Sequence, residues 1–367
     1  MSWTEKKLGD AITLKRGYDL PEARRIYGEV PIVSSSGITG YHKEAKVSGP
    51  GVITGRYGTL GEVFYVREDF WPLNTSLYVQ DFKGNNPKFI FYFLQQFLRG
   101  TKSDKAAVPG LNRNDLHAKQ VSVPDYPLQS LIADFLSNYD DLIENNRRRI
   151  QLLEESARLL YKEWFVHLRF PGHEHVKIKD GKPEGWERKA LVDIADLVMG
   201  QSPKSEYYNE NGIGLPFHQG VTNFGERFVE HKIYCTVKNR IAEPIDILCS
   251  VRAPVGRLNI TLDQIVIGRG LAAIRSKTGN QSFLYYQLKN HFFKEDMIGE
   301  GAIFAAVTKK VMETQMLLHP SNRLLQNYEE ISNPIDDQIK NLHIQNNRLK
   351  KARDLLLPRL MNGEIAV

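Results

Sequence analysis

Cysteine is nearly absent: the 367 residues hold two, Cys235 and Cys249, without metal-ligand spacing. That excludes a disulfide framework and a zinc module, and the pair reads as reduced thiols of a cytoplasmic protein. No run approaches the ~18 apolar residues of a membrane span. The opening "MSWTEKKLGD" lacks the apolar core of a secretory leader. No G-x4-G-K-[ST] phosphate loop occurs, and the glycines of "GRYGTLG" (55–61) suit a turn between strands. "SNPI" (332–335) begins like an amino-methyltransferase motif but lacks its second proline and its aromatic. No glycine motif for S-adenosylmethionine accompanies it. The histidines of "GHEHV" (172–176) follow "RFPG" in a connector and read as solvated linker, not metal ligands. No nuclease constellation stands out. These absences point to a protein that recognises rather than reacts, with no cofactor of its own.

What is present is a repeat. Trp3, Leu8, Asp10 and Gly17 form W-x4-L-x-D-x6-G, and Trp186, Leu191, Asp193 and Gly200 repeat it at an offset of 183. "FIFYFL" (89–94) matches "FLYYQL" (283–288) at 194, and "DDLI" (140–143) matches "DDQI" (336–339) at 196. Such agreement in order marks a duplicated scaffold. Most of the growth in offset falls between Gly200 and Cys249, so the halves differ in loops. The length and the 41% hydrophobic content suffice for two sizeable cores. A net charge of +6 and a pI near 9.0 modestly favour a polyanionic partner.

The fold class is α+β. Each half opens with a β-rich globule (1–125 and 184–320) of short apolar runs bounded by Gly, Pro and Asp, such as "VPIVSS" and "DILCSV". A helix near 87–99, and its partner near 281–294, completes each globule. Helical segments follow, at 126–183 with its connector and at 321–367. In the first, Ile132, Tyr139, Asn146, Leu153 and Leu160 form one row, and Leu136, Ile143, Ile150, Ala157 and Trp164 a second. Alternating steps of four and three are those of a coiled-coil seam. The second helix gives Tyr328, Ile335, Leu342, Leu349 and Leu356, with a weaker row of Ser332, Ile339, Asn346, Arg353 and Leu360. Each seam has one central Asn, suited to fixing register. Paired antiparallel, the helices carry the chain away from the first globule and back, as a rigid spacer in an internal pseudo-twofold repeat. Pro334 predicts a break or kink near Asn333. The acidic pairs Asp140–Asp141 and Asp336–Asp337 are expected near helix N-termini, where the macrodipole favours them, or in solvent. Adjacent residues on a helix point apart, so paired catalytic carboxylates are not the reading.

Together and in order, certain stretches resemble the specificity subunit of a Type I restriction-modification system over essentially the whole chain. They are "WTEKKLGDAITLKRG", "GVITGRYGTLGEVFY", "FYFLQQFL", "VPGLNRNDLHAKQVSVP", "LIADFLSNYDDLIENNRRRIQLLEESARLLYKEWF" and "LLLPRLMNGEI". The resemblance implies two target recognition domains separated by two antiparallel helices. Each domain would read one half of a bipartite double-stranded DNA site, with the gap set by the helices. The subunit would lack catalytic activity. It would recruit methyltransferase subunits, which bind S-adenosylmethionine, and a restriction-translocation subunit. The second half replaces "LNRND" with "AAVTKKVM" (305–312). Different half-sites, and a non-palindromic target, are therefore expected.

In that setting Lys and Arg would neutralise phosphates, while Arg, Asn, Gln and Ser would reach base edges. The loops of the first globule offer Lys15, Arg16, Tyr18, Ser34, Ser35, Ser36, Arg56, Tyr57, Asn74, Thr75, Lys102, Lys105, Asn112 and Arg113. Those of the second offer Gln201, Ser202, Lys204, His218, Gln219, Asn223, Arg252, Arg269, Lys309 and Lys310. A single surface cation is usually just solvated. Tyr57 suits a core or strand-edge role better than stacking, and Asn74 and Thr75 can serve as turn formers. "RRR" (147–149) is open to three roles: a solvated helix face, a contact to spacer phosphates, or a contact to an acidic partner surface. Two rival classes stay open: a DNA-reading module of a methyltransferase or nuclease with its own activity, and a coiled-coil scaffold that binds protein only.

Overall fold

The computed structural model describes residues 3–57, 60–99, 110–292 and 307–366. It comprises two compact units, Met1–Arg148 with Leu342–Val367, and Arg149–Asn341.

In the first unit a four-stranded sheet runs in the order Thr13–Arg16, Ser76–Asp81, Gly51–Gly55, Val63–Val66, with all neighbours antiparallel. A second sheet sets the hairpin Val30–Ser34/Gly37–His42 beside Trp71–Pro72, whose pairing with Val30–Ser34 is parallel. Trp3–Lys7 pairs with Gln120–Pro124 and closes the globule. Helix Pro87–Phe97 packs Phe89, Ile90 and Leu94 into the core. Pro87 stands at its first position, and the Asn86 side chain accepts from the backbone N–H groups of Lys88 and Phe89.

The second unit repeats this order. Its four-stranded sheet is Ala195–Met199, Leu271–Ser276, Ile247–Ser250, Leu258–Ile260. Leu215–His218 pairs parallel with Ile265–Ile267, as Val30–Ser34 does with Trp71–Pro72. Glu187–Ala190 pairs with Met316–His319. The helix Gln281–Phe292 matches Pro87–Phe97. Where the first unit turns a hairpin through Ser35 and Ser36, the second inserts a 3-10 turn at Val221–Asn223 and the turn closed by the Phe224–Val229 bridge.

Three positions of the repeated motif have a physical reason in the structure. Leu8 and Leu191 are fully buried. Their N–H groups donate to the carbonyls of Lys119 and Gln315. A Cβ on Gly17 would lie 2.2 Å from the Leu73 carbonyl oxygen, and one on Gly200 2.1 Å from that of Gly268. Both glycines let two loops touch backbone to backbone. Trp3 lies against Gly363 at the end of the second long helix. Trp186 packs on Phe165 and Phe170 just beyond the first long helix, with ring centroids 5.9 and 5.3 Å apart.

The two long helices are Tyr126–Tyr161, 36 residues followed by a π turn at Lys162–Val166, and Asn322–Met361, 40 residues. In the first unit, Ile132, Leu136, Ile143, Asn146, Leu342 and Asn346 are buried, and Leu349 and Leu356 half-buried. In the second unit, Ile150 and Ile339 are buried, and Leu153, Leu160 and Ile335 half-buried. Asn146 Nδ2 donates to Asn346 Oδ1 (3.0 Å) and Gln345 Oε1 (3.1 Å), and Asn346 Nδ2 donates to the Ile143 carbonyl (3.2 Å). The contact pairs 146/346 and 140/353 run in opposite chain order, so these segments are antiparallel.

Two expectations are corrected. Helix Asn322–Met361 runs unbroken through Pro334. Pro334 itself is exposed, so water can reach the carbonyl it frees. Tyr328, Ser332 and Ile339 beside it are fully buried, and their packing outweighs the local penalty. The acidic pairs, moreover, lie in the helix interiors, far from the macrodipole's reach; Asp141 and Asp337 are exposed to solvent, as the other alternative has it, while Asp140 and Asp336 are half-buried. Asp140 accepts from Tyr92 Oη and is ion-paired with Arg353, while Asp141 pairs with Arg67 at 3.1 Å. Asp336 accepts from Arg227 (2.6 Å) and Tyr286 Oη (3.5 Å). Tyr92 and Tyr286 are equivalent positions of the globular helices. In each unit the first Asp of the pair therefore docks a long helix onto its globule.

Candidate nucleic-acid interface

In the first unit, four chain segments converge at one end of the four-stranded sheet. Gly17 N donates to Ser76 O, and Tyr18 bridges to Leu73. Arg56 N donates to Thr75 O at 2.9 Å, Tyr57 bridges to Gly110, and Leu111 N returns to Arg56 O at 2.8 Å. This brings together Lys15, Arg16, Tyr18, Arg56, Tyr57, Asn74, Thr75, Asn112 and Arg113. Lys102 and Lys105 lie outside the described residues.

Several side chains there have local partners. Asn74 donates to Asp19, which also pairs with Arg16 at 3.9 Å. Tyr18 Oη and Tyr78 Oη are 3.1 Å apart. This bond, with help from Lys15, lowers the Tyr18 hydroxyl pKa, and burial raises that of Tyr78. The Arg56 guanidinium sits 4.6 Å from the centre of the exposed Tyr57 ring. Asn112 caps the short helix Arg113–His117 by accepting from Asn114 N. Thr75 Oγ1 is buried. Ser34 is buried and bonded to Ser36 Oγ and the Gly37 carbonyl, while Ser35 is half-buried and Ser36 exposed.

The matching end of the second unit gathers its candidates in the same way. Gln201 N donates to Ile267 O, Gly268 N to His218 O, and Gly270 N to Gln219 O. Ser202 Oγ accepts from Arg269 N at 3.1 Å. Val307 N donates to Val251 O at 2.8 Å, repeating the Leu111–Arg56 bond. Exposed Gln219, Arg252 and Arg269 rim a small concavity of about 120 Å³. A wider one of about 400 Å³ shares Gln219 and is lined also by Thr222, Asn223 and the stacked rings of Tyr208 and Phe217, 4.5 Å apart. Lys204, Lys309 and Lys310 are exposed. Lys309 pairs with Glu313 at 3.4 Å.

His218 is a different matter. It is buried, its Nε2 lies 2.9 Å from His231 Nδ1, and burial first and His231 second hold its pKa down to about 4. Its side chain is a neutral core group and leaves the set of direct contacts. The substitution of "AAVTKKVM" for "LNRND" also changes less than the letters suggest. Helix Lys309–Glu313, capped by Thr308 accepting from Val311 N, replaces helix Arg113–His117. The scaffold is kept and the exposed side chains differ.

Sequence reasoning missed Arg227, whose side chain is 3% exposed. Its Nη1 donates to Tyr286 Oη at 2.9 Å and lies 3.6 Å from Glu154 Oε1, and its Nη2 donates to Asp336. Burial works against its charge, but Asp336 and the neighbouring groups outweigh that and hold it firmly protonated. A signal did exist: Tyr286 and Asp336 recur with Tyr92 and Asp140, and an acid and a phenol repeated together call for a cation.

Among the described residues no group of three or more His, Cys, Asp or Glu could hold a metal ion, and no helix is long and apolar enough to cross a membrane. The model of the type I restriction modification DNA specificity domain matches residues 1–155 and again 183–351. The chain is 31% identical over 294 residues to a protein named as the MjaX type I restriction enzyme specificity subunit of Methanocaldococcus jannaschii, covering 77% of this chain and 68% of that one. It is 28% identical over 323 residues to the MjaIX specificity subunit of the same organism, covering 81% and 74%. The crystal structure of a type I restriction-modification S subunit from M. genitalium superposes with a TM-score of 0.64 at 18% identity, over 98% of this chain and 96% of that one, a likeness of fold. The chain belongs to the type I restriction-modification DNA specificity family. It carries that family's domain twice, and its role is DNA sequence specificity.

Proposed function

We propose that the chain is the non-catalytic DNA-specificity subunit of a type I restriction-modification complex and reads an asymmetric bipartite site in the cytoplasm. One observation carries this: the specificity domain occurs twice, and at the matching end of each globule the loops present different polar side chains on one scaffold. Arg16, Ser36, Arg56, Asn74 and Arg113 would serve one half-site, and Gln201, Gln219, Asn223, Arg252, Arg269, Lys309 and Lys310 the other. Cations there would meet phosphates, and the amides and guanidinium groups would meet base edges. The long helices would form the antiparallel coiled-coil spacer that sets the gap, with the bonded Asn146 and Asn346 fixing register. Methyltransferase subunits would supply S-adenosylmethionine, and a restriction-translocation subunit the cleavage.

Reconstitution with the methyltransferase subunits tests this. The complex should methylate a two-part, non-palindromic site, with affinity falling steeply with salt. Inserting one helical turn into both long helices should lengthen the tolerated gap and leave both half-sites unchanged. A changed half-site with an unchanged gap would remove the spacer role. Methyl transfer by the chain alone would show it to be an enzyme.

A further inference from the structure

The two docking contacts differ in where their arginine comes from. At Asp140 the partner is Arg353, carried on the second long helix. The equivalent position in the second unit is Ala157, which is buried and chargeless. Its place is taken by Arg227, from the loop segment in which the two halves differ. That segment also holds the candidate reading residues Gln219 and Asn223.

The connection between them is short and closed. Asn223 O accepts from Glu230 N at 2.9 Å, and Gly225 N donates to Phe228 O at 3.2 Å. Asn259 Nδ2 donates to Gly225 O at 2.8 Å. Arg227 therefore projects, four residues from Asn223, from a turn whose ends Asn223 and Glu230 are bonded to each other. Its guanidinium meets one acid from each long helix, Glu154 from the first and Asp336 from the second. The buried guanidinium is thus held by two acids, a phenol and the Tyr285 ring face 4.6 Å away.

We infer that Arg227 is a positioning residue for DNA recognition by the second unit: it clamps the 219–230 segment to both long helices and so fixes Gln219 and Asn223. The inference rests on the function proposed above and adds how one reading surface is held, through a buried cation that the other lacks. In the first unit the cation beside Asp140 is the helix-borne Arg353, and a loop of the globule meets the helix through the exposed pair Arg67–Asp141.

The test uses the full-length chain reconstituted with its methyltransferase subunits, on DNA libraries with each half-site randomised in turn. Arg227→Met should lower discrimination at one half-site at least tenfold and leave the other within twofold. The pair Arg227→Met with Asp336→Leu removes the cation and its nearer acid, and its melting temperature should recover in part while discrimination does not. Arg227→Lys should fall between Arg227→Met and the wild type. Discrimination that recovers with the melting temperature, falls equally at both half-sites, or does not change in Arg227→Met overturns the inference. A wild-type complex without half-site preference overturns the function beneath it.

Discussion

The helices meet the first globule through hydrocarbon and the second through aromatic rings and buried charge. At equivalent positions the first unit buries Ile132, Leu136, Leu357, Leu360 and Met361, and the second buries Tyr328, Ser332, Tyr161, Trp164 and Phe165. Rings dominate the second contact: Phe165 lies 4.8 Å from Phe283 and 5.1 Å from Tyr328, centre to centre. Its polar groups are numerous and incompletely paired. Tyr328 Oη, Glu329 Oε2, Ser332 Oγ and Ser282 Oγ are buried without a partner among the described residues. An aliphatic contact tolerates small slips, whereas a polar aromatic one is stable in one geometry and costly in others. One backbone plan thus supports a forgiving joint and an exacting one.

Substitutions should expose that difference. The largest effect is expected at Arg227. Arg227→Met strands Asp336 and Glu154 and should cost the second unit about 3–5 kcal/mol. Arg353→Met, whose partners keep contact with water, should cost the first about 1–2 kcal/mol. Chemical denaturation followed by hydrogen exchange in each unit measures both, and equal losses would erase the contrast.

Next comes pH. Burial raises the Glu329 pKa to about 7, against the hydrogen bond it accepts from Phe283 N. The unfolded value lies near 4.3, so the folded state holds an extra proton between the two. Stability should be greatest below that window and fall by roughly 3 kcal/mol as pH rises through 7. Glu329→Gln should flatten this part of the profile. The difference between the two proteins isolates it from His218, which weakens the fold as pH drops below about 6.5. A profile unaltered by Glu329→Gln would contradict the assignment.

Asn146→Leu leaves Asn346 Oδ1 buried without its donor and should cost about 1–3 kcal/mol. Adding Asn346→Leu should recover most of that loss while loosening register, seen as a broader range of accepted gap lengths. The smallest effect is expected for Tyr328→Phe. It removes a buried hydroxyl with no partner among the described residues, so the melting temperature should hold or rise slightly, by less than about 1 kcal/mol in stability. A large loss would mean that the hydroxyl is satisfied by water.

Much of this was legible. The repeat was visible because Gly17 and Gly200 each stand where two backbones touch, and Leu8 and Leu191 each where the first turn enters the core. Candidate loops could be found because polar stretches between apolar runs lie at strand ends. Which of their side chains are available could not. Ser34 and His218 look as polar as Ser36 and Gln219, and only the sheet places the first two inside. Pro334 misled because a local rule cannot weigh the long-range packing of Tyr328 and Ile339 on either side of it.

The sequence by itself carried the duplication and the heptad spacing of the long helices, each written in spacing along one chain, and its motifs in order carried the resemblance to the family. Tertiary structure alone decided what the repeated acids do. Asp140 and Asp336 take their meaning from Tyr92, Arg353, Tyr286 and Arg227, residues tens to hundreds of positions away. A charge is defined by what surrounds it in space, and distance along the chain carries no record of that.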